Sequence, residues 1–225
     1  MIEKKEKEKM KRIKPELPGG FRDYAPETAI AKQKILDTAR ETFEQFGFEP
    51  IETSSVQLTE VLTGGEEDSG KIIFNVRSSE KEEAKNSLRF DLTVPLARFL
   101  AENPEIPKPF KRYEIGRVWR GERQQAGRYR EFTQADIDIV GTASVDTDTE
   151  IIAVIYGTLK NLGITDFVIK INDRRILNAL PSYAGFPEEK LWDALRIIDK
   201  KDKIGREGIC KELESVFGKE IAKKN

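Results

Sequence analysis

The spacing of apolar residues predicts a long helix near the start of the chain. Ile35, Ala39, Phe43 and Phe46 follow one another at intervals of four, four and three residues, which places them on one face of a helix. A proline in the first turn and a glycine directly after the last apolar residue are the residues that favour a helix start and a helix end. We therefore predict a helix over residues 27–46.

Shorter apolar runs after this helix predict strands joined by polar connections. Strands are expected over residues 48–57, 71–76 and 88–92, with a polar tip before the last of them. A short helix is expected over residues 93–102, with Thr93 as its N-cap.

Two further segments, residues 110–120 and 130–141, are predicted to form an antiparallel pair whose tip is residues 121–127. The second segment alternates polar and aliphatic residues, so its two faces differ in character. The polar face carries Gln134, Asp136 and Asp138, and the apolar face carries Ala135, Ile137 and Ile139.

The last third of the chain is predicted to become helical. A helix ending at Gly163 and a strand over residues 167–172 precede a charged, helix-rich stretch that reaches the end of the sequence. Strands joined by hairpins, without regular alternation of strand and helix, indicate an α+β fold built on an antiparallel sheet flanked by helices. We predict a basic lead-in over residues 1–14, a core over 15–175 and a helical segment over 176–225.

Composition narrows the possible chemistry. The chain has no histidine and one cysteine, so a zinc site or a disulfide framework is not expected, and no protein-held metal is predicted. An oxygen-ligated Mg²⁺ would have to arrive with a substrate. No stretch approaches the length of a membrane span, and residues 1–14 lack the apolar centre of a signal peptide, so a cytoplasmic protein without membrane contact is expected.

The stretch RVWRGERQQAGRYREF, residues 117–132, contains five arginines and no lysine. With 39 basic and 40 acidic residues, the chain has almost no net charge, so this cluster is a local feature. Guanidinium groups bind phosphate or carboxylate in a bidentate manner, and Phe132 could stack on a base. The alternative is a solvated hairpin whose arginines pair with neighbouring glutamates.

Carboxylates lie on either side of the arginine run in the sequence. Asp91 and Thr93 could receive an ammonium group, although an aspartate beside a helix start is also an ordinary cap. Gln134, Asp136 and Asp138 fit either a strand edge facing water or the floor of a polar pocket. Because the acidic strand continues directly from the arginine hairpin, the two together fit a nucleotide triphosphate and a zwitterion lying end to end.

Several of these segments resemble one family. WRGERQQAGRYREFTQADIDIVG is similar to motif 2 of class II aminoacyl-tRNA synthetases in its histidyl-tRNA synthetase form, and the ending QADIDIVG resembles the archaeal and eukaryotic branch. LPGGFRDY, FGFEPIETS (like motif 1) and LRFDLTVPLARF resemble the same family in the same order. The resemblance covers about residues 15–180.

The resemblance implies a role in ATP binding for four residues. Arg120 would hold the α-phosphate of ATP and the carboxylate of histidine, and it would stabilise charge in the transition state as the catalytic residue. Glu122 would contact the adenine amino group, and Phe132 would stack on the adenine. Arg128 would bind the terminal phosphate of a bent ATP, with Mg²⁺ arriving on the nucleotide.

The resemblance also implies how histidine is bound and which partners take part. Asp91, Thr93 and Gln134 would receive the amino end of histidine, and Asp138 the imidazole. The expected activity is ATP-dependent formation of histidyl-adenylate and transfer of histidine to tRNA(His), by a homodimer formed through the motif 1 region.

Parts of the family pattern have no counterpart in this sequence. A segment like GLDYY, an arginine-bearing motif 3 and an anticodon-binding domain are not present. We therefore expect either the N-terminal part of a longer enzyme or a shortened paralogue. Two other functions stay open: a histidine-sensing subunit similar to the regulatory subunit of ATP phosphoribosyltransferase, and an RNA-binding or assembly module.

Overall fold

The structure, a computed structural model, describes residues 13–64, 73–77, 79, 85–123 and 127–219. Contacts within the chain divide it into two units, Met1–Phe167 and Val168–Asn225. Most of the predicted basic lead-in lies outside the described residues, and the predicted limits of the core stay a prediction.

The first unit contains four helices and six strands among its described residues. In chain order they are α1 (Pro26–Gln45), β1 (Glu49–Pro50), β2 (Val56–Leu58), α2 (Thr59–Thr63), β3 (Asn75–Val76), β4 (Asn86–Leu88), α3 (Thr93–Glu102), β5 (Phe110–Trp119), β6 (Glu131–Val140) and α4 (Val145–Asn161).

The long hairpin of β5 and β6 is the centre of this unit. The two strands pair antiparallel over their whole length, from Phe110 opposite Val140 to Trp119 opposite Glu131, which confirms the predicted pair. The two-residue strand β1 adds to β5 in parallel. A second, antiparallel sheet has the order β2–β4–β3, so hairpins dominate the fold as predicted.

One face of the β5–β6 hairpin packs against helices. Ile115, Ile137 and Ile139 lie against a buried cluster formed by residues of α1, α4 and β5, together with a phenylalanine that follows α1: Ala39, Phe43, Phe48, Tyr113 and Val154. This apolar core fixes which face of the hairpin is turned away from the helices. Ala135 lies on this face as predicted, opposite Ile115, but its side chain is exposed.

Helix α1 confirms the predicted helix, but the strand predicted over residues 48–57 is split into β1 and β2. Thr53, in the gap, donates from its backbone N–H and its hydroxyl to Glu114 Oε1, at 3.1 and 2.9 Å. A backbone N–H that bonds a buried carboxylate is not available to a strand ladder. This long-range contact therefore interrupts the strand.

The predicted helix over residues 93–102 is confirmed as α3, but the prediction of Thr93 as its N-cap is wrong. Leu92 occupies the cap position, and Thr93 is the first helical residue. The carboxylate of Asp91 accepts a hydrogen bond from Val94 N at 3.2 Å, and so satisfies one of the free N–H groups of the first turn.

The helix predicted to end at Gly163 is confirmed as α4, whose N-cap Ser144 accepts from Asp146 N. The strand predicted over residues 167–172 is not formed. Val168 and Ile171 are 82% and 70% exposed, and no described residue pairs with this segment. Alternation of apolar residues alone does not make a strand, because a strand needs a partner for its N–H and C=O groups.

The second unit is helical, as the sequence predicts. Its α-helices are α5 (Arg174–Asn178), α6 (Leu180–Ala184), α7 (Leu191–Ile198) and α8 (Lys201–Phe217). Two small apolar clusters are buried within it, one around Ile197, Ile209 and Leu213 and one around Ala184, Phe186 and Ala194. Across both units, no helix among the described residues is long and apolar enough to cross a membrane.

Candidate active site

A cleft of about 430 Å³ lies at the turn end of the β5–β6 hairpin. We call it the arginine cleft, and the residues that line it are Arg22, Arg120, Glu122, Arg123, Gly127, Arg128, Tyr129, Arg130 and Phe132. All four residues predicted to bind ATP are among them. The structure therefore brings this predicted set together in one cavity.

Arg120 directly follows β5, and both its backbone and its guanidinium group are fixed by hydrogen bonds. Its Nε donates to the carbonyl oxygen of Phe90 at 3.1 Å, and its guanidinium carbon lies 5.0 Å from the centre of the Phe132 ring. The backbone N–H of Arg120 also bonds Arg130 O at 2.8 Å. The cation and the ring thus share one wall of the cleft, where a planar ligand can contact the ring and its phosphate the cation.

Arg128 and Glu122 face each other across the cleft. Arg128 Nη1 lies 3.9 Å from Glu122 Oε2, and the two side chains are 71% and 45% exposed. An exposed ion pair at this distance contributes little to stability. Both side chains are therefore available to a ligand at small cost.

The other arginines of the run have different surroundings. Arg130 is structural, because its Nε donates to Glu122 O at 3.1 Å and its backbone N–H to Gly20 O at 2.8 Å. Gly20 has a φ of +88°, and a Cβ there would lie 2.7 Å from Arg130 Cγ, so a glycine is required. Arg117 pairs with Glu131 at 3.3 Å, and its position in the strand places it on the face opposite the cleft.

Sequence reasoning gave no role to Arg22 and Tyr129, which also line the arginine cleft. The guanidinium carbon of Arg22 lies 3.9 Å from the centre of the Tyr129 ring, and its Nε donates to Tyr24 Oη at 2.8 Å. Arg22 lies in LPGGFRDY, one of the segments that resemble the family. Its contact with the hairpin tip could not be read from local pattern.

The polar face of β6 continues from the cleft into a group of carboxylates. We call Asp91, Gln134, Asp136 and Asp138 the acidic cluster. The pairing of the strands places Gln134, Asp136 and Asp138 opposite Gly116, Glu114 and Arg112, and residues directly opposite share one face. Asp91 is close enough to feel the charges of Arg120 and Arg112, so the cluster borders the cleft.

Arg112 lies beneath this cluster and was missed by sequence reasoning. Its side chain is fully buried, and its Nη2 forms an ion pair with Asp138 Oδ2. It also donates to Leu92 O at 3.5 Å. The sequence places an arginine and an aspartate on two strands predicted to pair. Only the register of the hairpin shows that Arg112 and Asp138 are direct neighbours.

Burial raises the pKa of two carboxyls in the acidic cluster. The pKa of Asp91 is raised by loss of hydration, although the Val94 N–H and the charges of Arg120 and Arg112 act in the opposite direction. The pKa of Asp136 is also raised by burial, and the neighbouring Asp138 and Asp91 raise it further, while Arg112 and the amide of Gln134 lower it. Crowded carboxylates favour a cationic ligand.

The amide of Gln134 is turned toward Asp136. Its Nε2 lies 3.3 and 3.4 Å from the two carboxylate oxygens. Its Oε1 is buried and has no hydrogen-bond partner within the described part of the chain. Thr93, predicted to act with Asp91, is exposed at the start of α3. Among the residues that the structure describes, no group of three or more acidic, histidine or cysteine side chains is arranged to hold a metal ion.

Comparison with known proteins identifies related sequences. The chain is 48% identical over 208 residues to a histidine–tRNA ligase of Wolinella succinogenes, covering 92% of this chain and 46% of the relative. It is 44% identical over 207 residues to a histidine–tRNA ligase of Aeropyrum pernix, covering 89% and 46%. The chain thus spans about half the length of the curated relatives it matches.

Solved structures give the same picture. A histidyl-tRNA synthetase from Nostoc sp. PCC 7120 superimposes with a TM-score of 0.82 at 33% identity, over 94% of this chain and 48% of that one. A protein from Bacillus halodurans C described as an ATP phosphoribosyltransferase regulatory subunit/histidyl-tRNA synthetase gives 0.78 at 25% identity, over 92% and 53%. The class II synthetase-like fold predicted from the sequence is therefore confirmed.

The family itself is decided by a match that spans most of the chain. The sequence model of the family described as histidyl-tRNA synthetase matches residues 20–217, which include both β5 and β6 and the helices of the second unit. The resemblance seen in the motifs thus extends through nearly all of the described residues, and the chain belongs to the histidyl-tRNA synthetase family.

Proposed function

We propose that this chain carries ATP- and histidine-binding parts of a histidine–tRNA ligase. The observation that supports the proposal is the arrangement on one face of the β5–β6 hairpin, where the arginine cleft runs directly into the acidic cluster. A triphosphate needs cations and a ring surface, whereas the ammonium and imidazole groups of histidine need acceptors. The two halves of the face match the two substrates in that order.

In this proposal Arg120 binds the α-phosphate of ATP and the carboxylate of histidine, and Arg128 binds the terminal phosphate. Phe132 stacks on the adenine, and Glu122 accepts from the adenine amino group. The anchored position of Arg120, with Nε held by Phe90 O, supports its role because a preorganised cation costs little to align in the transition state.

At the other end of the face, Asp91, Thr93 and Gln134 receive the ammonium group of histidine, and Asp138 receives the imidazole. The ion pair of Asp138 with the buried Arg112 supports this placement, since it fixes the carboxylate on the site-facing side of the sheet. The exposed hydroxyl of Thr93 lies at the start of α3, two residues after Asp91.

Formation of the adenylate needs no general base, because the histidine carboxylate is already a nucleophile. A carboxylate oxygen of histidine attacks the α-phosphorus of ATP, the bond from that phosphorus to the bridging oxygen breaks, and pyrophosphate leaves with the electron pair. Histidyl-adenylate is the product. A terminal ribose hydroxyl of the tRNA then attacks its carbonyl carbon, an ester forms, and AMP leaves with the electron pair and takes up the hydroxyl proton. Positioning and charge neutralisation supply the rate, and Mg²⁺ enters with ATP as part of the substrate.

Three further elements of the proposal rest on family membership. They are transfer to tRNA(His), a homodimer through the motif 1 region and a cytoplasmic location. Ile30 and Ile35 of α1 are 58% and 51% exposed, so an interface on this helix would remove apolar surface from water. Light scattering tests the dimer, and filter binding to tRNA across a salt series tests the nucleic-acid partner.

Calorimetric titration with ATP and Mg²⁺ tests the proposal. Arg120→Ala should weaken ATP binding at least about 10-fold, the effect of losing a charge-assisted contact to phosphate. Arg117→Ala is the matched control, because Arg117 lies in β5, close to Arg120 in sequence, but its position places it on the opposite face, and it should leave the affinity unchanged.

The same titration separates the proposal from a histidine-sensing regulatory role. A chain that binds histidine but not ATP would contradict the proposed ligase chemistry and would favour the regulatory alternative. Equal loss of ATP affinity in both arginine variants would contradict the assignment of the arginine cleft as the ATP site.

A further inference from the structure

Three buried side-chain atoms have no hydrogen-bond partner within the part of the chain that the structure describes. They are Nε and Nη1 of Arg112 and Oε1 of Gln134. The strand register places both residues on the site-facing side of β5 and β6. Buried polar groups are nearly always bonded, so each unpaired one calls for an explanation.

The orientation of the Gln134 amide follows from its neighbour. An ionised carboxylate only accepts hydrogen bonds, so the Nε2 group of Gln134 must be the part that faces the two oxygens of Asp136. Oε1 is then forced to point away from Asp136 and stays an open acceptor. An amide without such a neighbour could present either end.

The charge on Asp136 depends in turn on Arg112. Burial favours the neutral form of Asp136, and so do Asp138 and Asp91, but the positive charge of Arg112 favours the ionised form. Glu114 lies directly opposite Asp136, but its negative charge is neutralised by Arg89, whose Nη1 is 2.7 Å from Glu114 Oε1. Arg112 is therefore the cation that keeps Asp136 an acceptor.

We propose that Asp136 is a positioning residue, which holds the Gln134 amide with Oε1 toward the site so that this oxygen can accept from the ammonium group of the amino-acid substrate. Arg112 supports it from beneath. The inference rests on the proposed function, because it assumes that Gln134 meets the substrate. It adds a residue whose own side chain need not touch the substrate.

Asp136→Asn tests the inference with almost no change in shape. An asparagine can donate to Oε1 of Gln134 as well as accept from Nε2, so the amide loses its fixed orientation and its free acceptor. Histidine affinity, measured by calorimetry with L-histidine, should fall at least about 10-fold, as expected for loss of one hydrogen bond to a charged group. ATP affinity should not change, and the melting temperature should not fall.

A second measurement does not depend on ligand binding. In the protein without ligand, the NMR signal of the Gln134 side-chain amide should be protected from hydrogen exchange, and Asp136→Asn should remove this protection. Ala135→Ser is the matched control for both measurements, since Ala135 is exposed on the other face of β6, and it should change neither.

The two measurements test histidine binding and the Asp136–Gln134 contact separately. If the unaltered chain does not bind histidine, the histidine half of the proposed function fails, while the amide signal still decides whether Asp136 holds Gln134. Unchanged histidine affinity or unchanged amide protection in Asp136→Asn overturns the inference. A parallel loss of ATP affinity and melting temperature also overturns it, because that pattern indicates a structural role.

Discussion

Arg89 and Glu114 form a buried ion pair next to the acidic cluster, since Glu114 lies directly opposite Asp136. Their side chains are 5% and 2% exposed, and Arg89 Nη1 lies 2.7 Å from Glu114 Oε1. Arg89 also donates to the carbonyl oxygens of Thr53 and Arg117, at 2.7 and 2.9 Å. The pair thus joins the segment after β1, the end of β4 and strand β5 through one guanidinium.

Glu114→Gln should destabilise the first unit strongly. Removing one member of a buried pair leaves an uncompensated charge, which costs about 3–5 kcal/mol. Urea unfolding monitored by circular dichroism measures the loss. Glu150→Gln is the control, because the Lys111–Glu150 pair is about one-third exposed and should contribute about 1 kcal/mol or less. Equal losses of unfolding free energy in the two variants would contradict the claim that burial makes the Arg89–Glu114 pair the more important one.

The acidic cluster makes stability depend on pH. The pKa of Asp136 is raised above its ordinary value of 3.8 in the fold, so the folded state holds its proton more tightly than the unfolded state does. The protonated Asp136 therefore adds to the free energy of unfolding. This stabilisation is fully present below pH 3.8 and is lost as pH rises through the folded pKa. The pKa of Asp91 is also raised, so its effect on stability changes with pH in the same direction.

Asp136→Asn should therefore gain stability relative to the unaltered chain as pH increases from about 4 to 7, because the substitution removes a carboxylate whose ionisation opposes folding. Denaturant midpoints measured at several pH values across this range test the sign. A variant that becomes relatively less stable toward pH 7 would mean that Asp136 is stabilising as a carboxylate.

At the scale of the element, strand β5 passes very close to the Arg89 side chain. A Cβ on Gly116 would lie 2.2 Å from Arg89 Nη2 and 3.4 Å from Leu92 Cδ2. The guanidinium could move aside only by breaking its bonds to Glu114 and Thr53. The glycine is thus required by the ion pair that crosses the strand.

Gly116→Ala should cost about 1–3 kcal/mol, the usual effect of overfilling a packed interior. In an Arg89→Met background the same substitution should cost clearly less, because the group that is in the way has been removed. Unfolding free energies of the two single variants and the double variant measure this coupling. Additive effects would contradict the close contact.

The elements that could be predicted from sequence are those whose pattern is set by burial alone. Helix α1 and the β5–β6 pair follow from apolar spacing, because one face of each lies on the core. The interrupted strand around Thr53 and the unpaired segment over residues 167–172 depend on a distant carboxylate and on a partner strand. Neither is visible in local sequence.

For the whole molecule, the candidate site combines residues from three separate parts of the chain. The arginine hairpin could be predicted because its residues are close in sequence and resemble a family motif. Arg22 and Arg112 could not, since the first joins the site through a contact with Tyr129 and the second through strand register. Such long-range proximity is a property of the fold.

In the proposed site as a whole, ATP and histidine lie end to end on one sheet face. A histidyl-adenylate analogue in which a sulfamate replaces the phosphate would occupy both halves at once, and its calorimetric affinity for this chain is the most direct test. The analogue should bind about 100-fold more tightly than ATP or histidine alone, because linked groups bind with a high effective concentration. Both Arg120→Ala and Asp138→Asn should weaken it. Binding no tighter than that of ATP, or insensitivity to either substitution, would contradict the account.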